Sequence, residues 1–144
     1  MSERQEFGQR GHPSKGVFRQ VAPEGVDFGG GLRCGLIRAE TGRAGLCLAI
    51  GPEHLNLYGI VHGGVLATFM DNTMGMAAML ACPGEKVVTA QLNIHYLQSV
   101  SGGVLTCQAG LIHRAGRTLT LEGHIYAEDG QRLAWGGASF RKVT

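Results

Sequence analysis

The longest apolar stretch of the chain runs from Val61 to Leu80, and its pattern predicts a single helix. It opens on the pair Gly63 and Gly64 and stays apolar around its whole circumference, apart from one carboxylate, Asp71. A helix that is apolar on every side is a buried helix. A carboxylate inside it needs a partner, a raised pKa or a chemical task, because burial removes its hydration.

The remaining pattern is that of β-strands. Apolar runs at 32–38 and 46–50 flank a turn-like segment and predict a first hairpin. After the helix, every second residue from Thr89 to His95 is polar and the residues between are apolar, which predicts a half-buried strand with strict alternation. Three further strands, joined by short turns, are predicted at 103–113, 118–127 and 132–140.

Two strands, one helix and four strands indicate an α+β fold, with a single antiparallel sheet curled around the helix. The chain has 144 residues and forms one domain by size. Residues 1–31 are rich in glycine, proline and charge, and we expect them to form a partly ordered arm on a domain built by 32–144. One sheet cannot cover the helix and hide its own apolar surface, so self-association is expected.

Composition narrows the function classes. The net charge of +2 is too small for the basic face of a nucleic-acid-binding protein. The polar start predicts neither secretion nor membrane insertion, so we expect a cytoplasmic protein without a membrane partner. We expect no metal site, and the widely spaced cysteines are predicted to be reduced core thiols. These cysteines are Cys34, Cys47, Cys82 and Cys107.

A spacing pattern surrounds the helix: Asn56-x-x-Gly59-x-x-His62-Gly63-Gly64, then Asp71, then Thr89-x-Gln91-Leu92-x-Ile94-x-Tyr96-Leu97. From about 32 to 140, the chain resembles the hotdog-fold acyl-CoA thioesterases, most closely the phenylacetate-pathway type, which is related to the 4-hydroxybenzoyl-CoA thioesterases. The resemblance implies a six-stranded antiparallel sheet wrapped around one long central helix. It also implies a homodimer with one continuous sheet, often within a tetramer.

By the same resemblance, active sites lie between subunits, where Asn56 and Gly63 of one chain face Asp71 and Thr89 of the other. The implied substrate is an acyl-CoA with a small aromatic or a short or medium-length acyl group. Coenzyme A is part of that substrate, so no separate cofactor is expected.

The glycine pair and the helix carboxylate are the strongest candidates for thioester chemistry. Backbone N–H groups at a helix start are oriented donors at the positive end of the helix dipole, so Gly63 N–H is assigned to the oxyanion and Gly64 to substrate contact. The alternative is that both glycines only allow close packing. Asp71 could act as general base or as nucleophile, and a salt-bridged structural Asp is its alternative.

Three further residues are assigned around this pair. Asn56 could orient a water or hold the acyl carbonyl, or it could be an ordinary turn residue. His62 is expected to orient the loop or to bond near the site. Thr89 could hold the water or the Asp71 carboxylate through its hydroxyl, although a Thr at a strand start needs no such role.

The substrate-binding assignments are less specific. Tyr58, Met70 and Met74 are candidate walls for the acyl chain, with plain core packing as the alternative. Arg114 and Arg117 are candidate contacts for coenzyme A phosphates, with solvated surface charge as the alternative.

Two rival functions remain at this stage. One is a hotdog hydratase or dehydratase acting on acyl thioesters, with His62 and Asp71 as its catalytic pair. The other is a non-catalytic acyl-CoA-binding domain. A serine hydrolase is disfavoured, because the chain has no G-x-S-x-G motif.

Overall fold

The computed structural model describes residues 26–27 and 30–143. The elements, in chain order, are β1 (Val26–Asp27), β2 (Arg33–Glu40), β3 (Arg43–Ala49), a short 3-10 helix (Pro52–His54), α1 (Gly63–Ala81), β4 (Lys86–Tyr96), β5 (Val104–Ala115), β6 (Thr118–Tyr126) and β7 (Arg132–Val143). The predicted α+β order of two strands, one helix and four strands is confirmed. The two-residue β1 adds to the six longer strands, and most of the predicted arm lies outside the described residues.

All the strands form one antiparallel sheet, in the order β1-β2-β3-β5-β6-β7-β4. Strands β5, β6 and β7 follow one another as the predicted meander. Strand β4, which follows the helix, pairs with β7 and ends the sheet order, so its other edge is open in the described chain. No helix among the described residues is long and apolar enough to span a bilayer.

A row of small residues crosses the sheet beneath α1. It consists of Ala44, Ala109, Gly123 and Gly136, paired in that order on adjacent strands. A Cβ at Gly123 would lie 3.2 Å from Cγ of Met70 and 3.4 Å from Cγ of Met74. The absence of side chains there lets two long methionines fill the space between helix and sheet, so the helix packs close to the strands.

Only one face of α1 is buried in the single chain. The buried side chains are Leu66, Phe69, Met70, Thr73, Met74, Ala77 and Ala78. On the other face Asp71 and Met76 are half-buried and Met79 is 55% exposed. The prediction of burial on every side is therefore wrong for one chain, because a single sheet covers a helix from one side only.

The strict alternation predicted for β4 is also wrong, at Ala90. Thr89 pairs with Phe140 and Gln91 pairs with Ser139, so Ala90 is an extra residue in a β-bulge. A one-residue shift exchanges the two faces of a strand. Thr89 therefore lies on the helix-facing side with Leu92 and Ile94, which pack against the core. The alternation had placed it on the opposite face.

All four cysteines are free and buried, as the sequence predicted. Burial away from water raises the pKa of the Cys34 and Cys107 thiols to about 12. Burial also raises the pKa of Cys47. Because the thiolate is the reactive form, these three groups are inert core side chains at neutral pH.

The row of small residues supports a stability prediction. In the Gly136→Ala variant, the new Cβ would collide with the backbone carbonyl of Asn93 and approach Met70 Sδ at 3.0 Å. We expect the free energy of unfolding to fall by about 1–3 kcal/mol, the usual cost of overpacking. Urea denaturation measures this loss. The matched control is Gly102→Ala, whose Cβ meets open space; equal stability of the two variants would contradict the packing account.

Candidate active site

The start of α1 presents two consecutive backbone donors. The carbonyl of His62 accepts hydrogen bonds from the N–H groups of Val65 and Leu66, at 3.0 and 3.3 Å, and this fixes the first turn. Gly63 and Gly64 are exposed, and within the described chain neither backbone N–H donates a hydrogen bond. Such N–H groups, at the positive end of the helix dipole, form a ready site for a negatively charged oxygen.

An apolar groove lies beside these donors. Its volume is about 290 Å³. Its walls come from the loop before the helix, the helix start, the last residue of β4 and the segment that follows it: Ile60, Val61, Gly63, Leu66, Tyr96, Leu97, Gln98, Ser99 and Val100. None of these side chains is charged, so the groove suits an uncharged apolar group.

Tyr96 connects the groove to the helix start. Its hydroxyl donates a hydrogen bond of 2.8 Å to the carbonyl of Gly63. A Cβ on Gly63 would lie 3.4 Å from Cζ of the Tyr96 ring, so the ring packs directly against the glycine. Sequence reasoning gave Tyr96 no role, because an aromatic residue is ordinary in a strand and nothing in the pattern indicates where its hydroxyl points.

Asp71 is held by β4. Its Oδ1 accepts a hydrogen bond of 2.7 Å from the Thr89 hydroxyl, which the bulge at Ala90 turns toward the helix. Of the two roles considered for Thr89, the structure shows contact with the Asp71 carboxylate. Asp71 takes part in none of the ion pairs of the described residues, unlike a salt-bridged structural Asp. The carboxylate is half-buried and has one neutral donor.

Asn56 shapes the loop that precedes the helix. Its Oδ1 accepts hydrogen bonds from the backbone N–H groups of Tyr58 and Ile60, at 2.9 and 3.1 Å. Gly59 has a φ of 73°, which a glycine adopts without strain, and its N–H bonds the Asn56 carbonyl at 3.0 Å. The side-chain oxygen of Asn56 thus stabilises the turn, and its amide NH₂ is the group that could donate a hydrogen bond to a ligand.

Gly63 and Asp71 are separated within one chain. They lie eight residues apart on the same helix, a rise of about 12 Å. One small reacting group cannot touch both, so the two candidate functions do not meet inside a single chain. His62 lies one residue farther from Asp71, and its side chain is exposed.

The structure places four predicted substrate residues elsewhere in the chain. Met70 and Met74 are fully buried in the core, so the alternative of plain packing holds for both. Tyr58 is 87% exposed on the loop and does not line the groove. Arg114 bonds the carbonyl of Ala81 at 3.0 Å, so it caps the far end of the helix, about 27 Å along the axis from Gly63.

Arg117 is exposed on the turn between β5 and β6. In the described part of the chain, no three histidine, cysteine or acidic side chains come together in the manner of a metal site.

Comparison with known proteins identifies the family to which the sequence is similar. Residues 58–134 match the thioesterase superfamily. Human acyl-coenzyme A thioesterase 13 is 30% identical over 84 residues, which are 58% of this chain and 60% of that protein. The chain therefore spans less than two thirds of that relative.

Solved structures have the same architecture. A Bacillus halodurans protein crystallised with CoA has a TM-score of 0.66 and 35% identity, covering 69% of this chain and 66% of its own. The E. coli PaaI protein from the phenylacetic acid degradation operon has a TM-score of 0.74, covering 78% of this chain and 81% of its own. Its identity is 21%, so it shows the fold alone.

Proposed function

The chain belongs to the thioesterase superfamily, with the hotdog fold that its sequence predicted, and on that premise we propose that it hydrolyses an acyl-CoA to a carboxylic acid and coenzyme A. The observation that carries this proposal is that Asp71, on the helix that begins with the Gly63 donor, accepts a hydrogen bond from the Thr89 hydroxyl of β4. The apolar groove beside Gly63 supports a small aromatic or a short or medium-length acyl group.

In the proposed reaction, the thioester carbonyl oxygen accepts a hydrogen bond from Gly63 N–H. Asp71 takes a proton from a water molecule as the water oxygen bonds to the carbonyl carbon, and the negative charge collects on the oxygen beside the helix start. The C–S bond then breaks, and the thiolate leaves and takes up a proton. A thiol pKa of about 8.5 makes this leaving group good without a strong general acid.

A direct attack by Asp71 on the carbonyl, through an anhydride that water then hydrolyses, uses the same groups. In both routes the Thr89 hydroxyl orients the carboxylate. Both routes use only groups of the protein, the substrate and water.

The proposed active site is shared by two chains. Pairing of two copies through the open edges of β4 would place the helices side by side, with Gly63 and Asn56 of one copy facing Asp71 and Thr89 of the other. The second copy is necessary because Gly63 and Asp71 of one chain are separated by a rise of about 12 Å along the helix. A twofold pair has two equal sites, and the half-buried face of α1 is then covered.

The rival hydratase reading needs His62 and Asp71 as a working pair. Within one chain they are nine residues apart, about 13.5 Å along the helix, so this pair too would need a partner chain, and the match to the thioesterase superfamily favours hydrolysis instead. The cytoplasm remains the proposed location, because four free buried thiols suit a reducing compartment.

The first test removes the carboxylate charge. Asp71→Asn keeps the shape and the acceptor for Thr89, so the fold should be retained. We expect kcat for acyl-CoA hydrolysis to fall at least about a hundredfold, the lower range for loss of a general base. Released thiol measures turnover, and thermal melting checks the fold; unchanged turnover would exclude Asp71 as base or nucleophile.

The second test removes the Gly63 donor. His62 has φ −56° and ψ 137°, the conformation that a residue before proline prefers, and proline is well accepted at the first helical position. Gly63→Pro should therefore keep the helix and lower kcat by a factor on the order of 100 to 1,000. The control Gly63→Ala keeps the N–H and should lose far less; equal losses in both variants would rule out Gly63 N–H as the oxyanion donor.

The third test asks whether the site is shared. Asp71→Asn and Gly63→Pro chains carrying different affinity tags are co-expressed, and the hybrid is isolated by sequential purification on both tags. One of its two sites combines an intact Gly63 with an intact Asp71, so we expect about half of the wild-type activity for each twofold pair. A hybrid as inactive as its parents would mean that both groups act in the site of one chain.

A further inference from the structure

We propose that Tyr96 is a positioning residue for the oxyanion site, where it fixes the Gly64 N–H as a second donor beside the Gly63 N–H, and that its ring is a wall of the acyl groove. This inference rests on the proposed thioester hydrolysis. It starts from one contact: the Tyr96 hydroxyl bonds the Gly63 carbonyl at 2.8 Å, while the ring packs against the same glycine. The side chain is 52% exposed and lines the groove, so it is not merely a core residue.

The peptide plane explains how a bond to a carbonyl controls a donor. The C=O of Gly63 and the N–H of Gly64 belong to one rigid trans peptide and point in opposite directions. When the Tyr96 hydroxyl holds the carbonyl, it also sets the direction of the Gly64 N–H. The preceding peptide, which carries the Gly63 N–H, is held separately through the His62 carbonyl.

This restraint is needed at this position. Two consecutive glycines are the most flexible dipeptide available, and the first turn of a helix has N–H groups without partners. Donors that are fixed before the reaction stabilise an oxyanion better than donors that must reorient. Tyr96 therefore supplies, from the edge strand, the rigidity that a glycine pair lacks.

The ring has a second effect, on the acyl group. An acyl chain whose carbonyl lies at Gly63 N–H enters the groove between the Tyr96 ring and apolar side chains such as Leu66 and Val100. None of the described side chains that line the groove is charged and could pair with a second carboxylate, so the structure favours uncharged acyl groups. We expect an aromatic acyl group to gain from packing against the Tyr96 ring.

Two substitutions separate these effects. Tyr96→Phe removes only the hydroxyl, and we expect kcat to fall about tenfold, less than for loss of the donor itself, with KM within about twofold of wild type. Tyr96→Leu removes the ring as well, and KM for benzoyl-CoA and octanoyl-CoA should also rise. Succinyl-CoA should be a poor substrate of the wild type.

The control is Tyr126→Phe, which removes the hydroxyl of a buried tyrosine whose ring centroid lies 5.8 Å from Cζ of Arg132. It can lower stability, but kcat should be unchanged. An independent readout is the NMR order parameter of the Gly64 N–H bond, which we expect Tyr96→Phe to lower and Tyr126→Phe to leave unaltered.

The outcomes are distinguishable. Wild-type kcat and an unaltered Gly64 order parameter in Tyr96→Phe overturn the positioning role, and if Asp71→Asn is then inactive, the proposed hydrolysis stands. A rise in KM with unchanged kcat in Tyr96→Phe also overturns it, since the hydroxyl would then bind substrate. A wild-type protein that hydrolyses none of these acyl-CoA esters overturns both proposals.

Discussion

The close approach of the helix to the sheet is the constraint on which the other features depend. Small residues on four adjacent strands leave room for Met70 and Met74, and the helix axis is thereby set at a short distance above the strands. At that distance two hydrogen bonds reach from the helix to β4: Tyr96 to Gly63, and Thr89 to Asp71. A larger residue beneath the helix would lengthen both. The geometry of the candidate site therefore depends directly on the packing of the core.

Both candidate functional positions of the helix, its start at Gly63 and Asp71 at its middle, are attached to the same edge strand. Gly63 is bonded by the aromatic hydroxyl of Tyr96 and Asp71 by the aliphatic hydroxyl of Thr89, and the strand between these two residues carries the bulge. An edge strand is the least restrained part of a sheet, since only one side is paired. The proposed pairing of two β4 edges would remove that freedom and bring the start of one helix to Asp71 of the other, so assembly and catalysis would depend on the same strand.

The sequence predicted the elements well because their signals are local. The apolar run ending at Cys82-Pro83-Gly84, the alternation in later strands and the Asp129-Gly130 turn each depend on neighbouring residues only. The bulge at Ala90 was missed because it is defined by the register with β7, some fifty residues away. For Met70 the sequence left open whether it lines the acyl site or packs in the core, and the outcome depends on Gly123 and Gly136, which make the space for it from distant strands. The sequence predicted that one sheet cannot cover the helix, but which helix face is left open depends on the position of the sheet and not on neighbouring residues.

The bulge has a further consequence for anyone comparing or redesigning this chain. On either side of Ala90 the rule that assigns side chains to faces has opposite parity: odd-numbered residues such as Val87 and Thr89 face the helix before it, and even-numbered residues such as Leu92 and Ile94 face it afterwards. If an alignment places a single gap in β4, every residue between the gap and the end of the strand is matched to a residue of the opposite face. Helix-facing residues are then mistaken for surface residues, although the composition of the strand is unchanged. The length of this strand, and not only its residue types, carries information about the site.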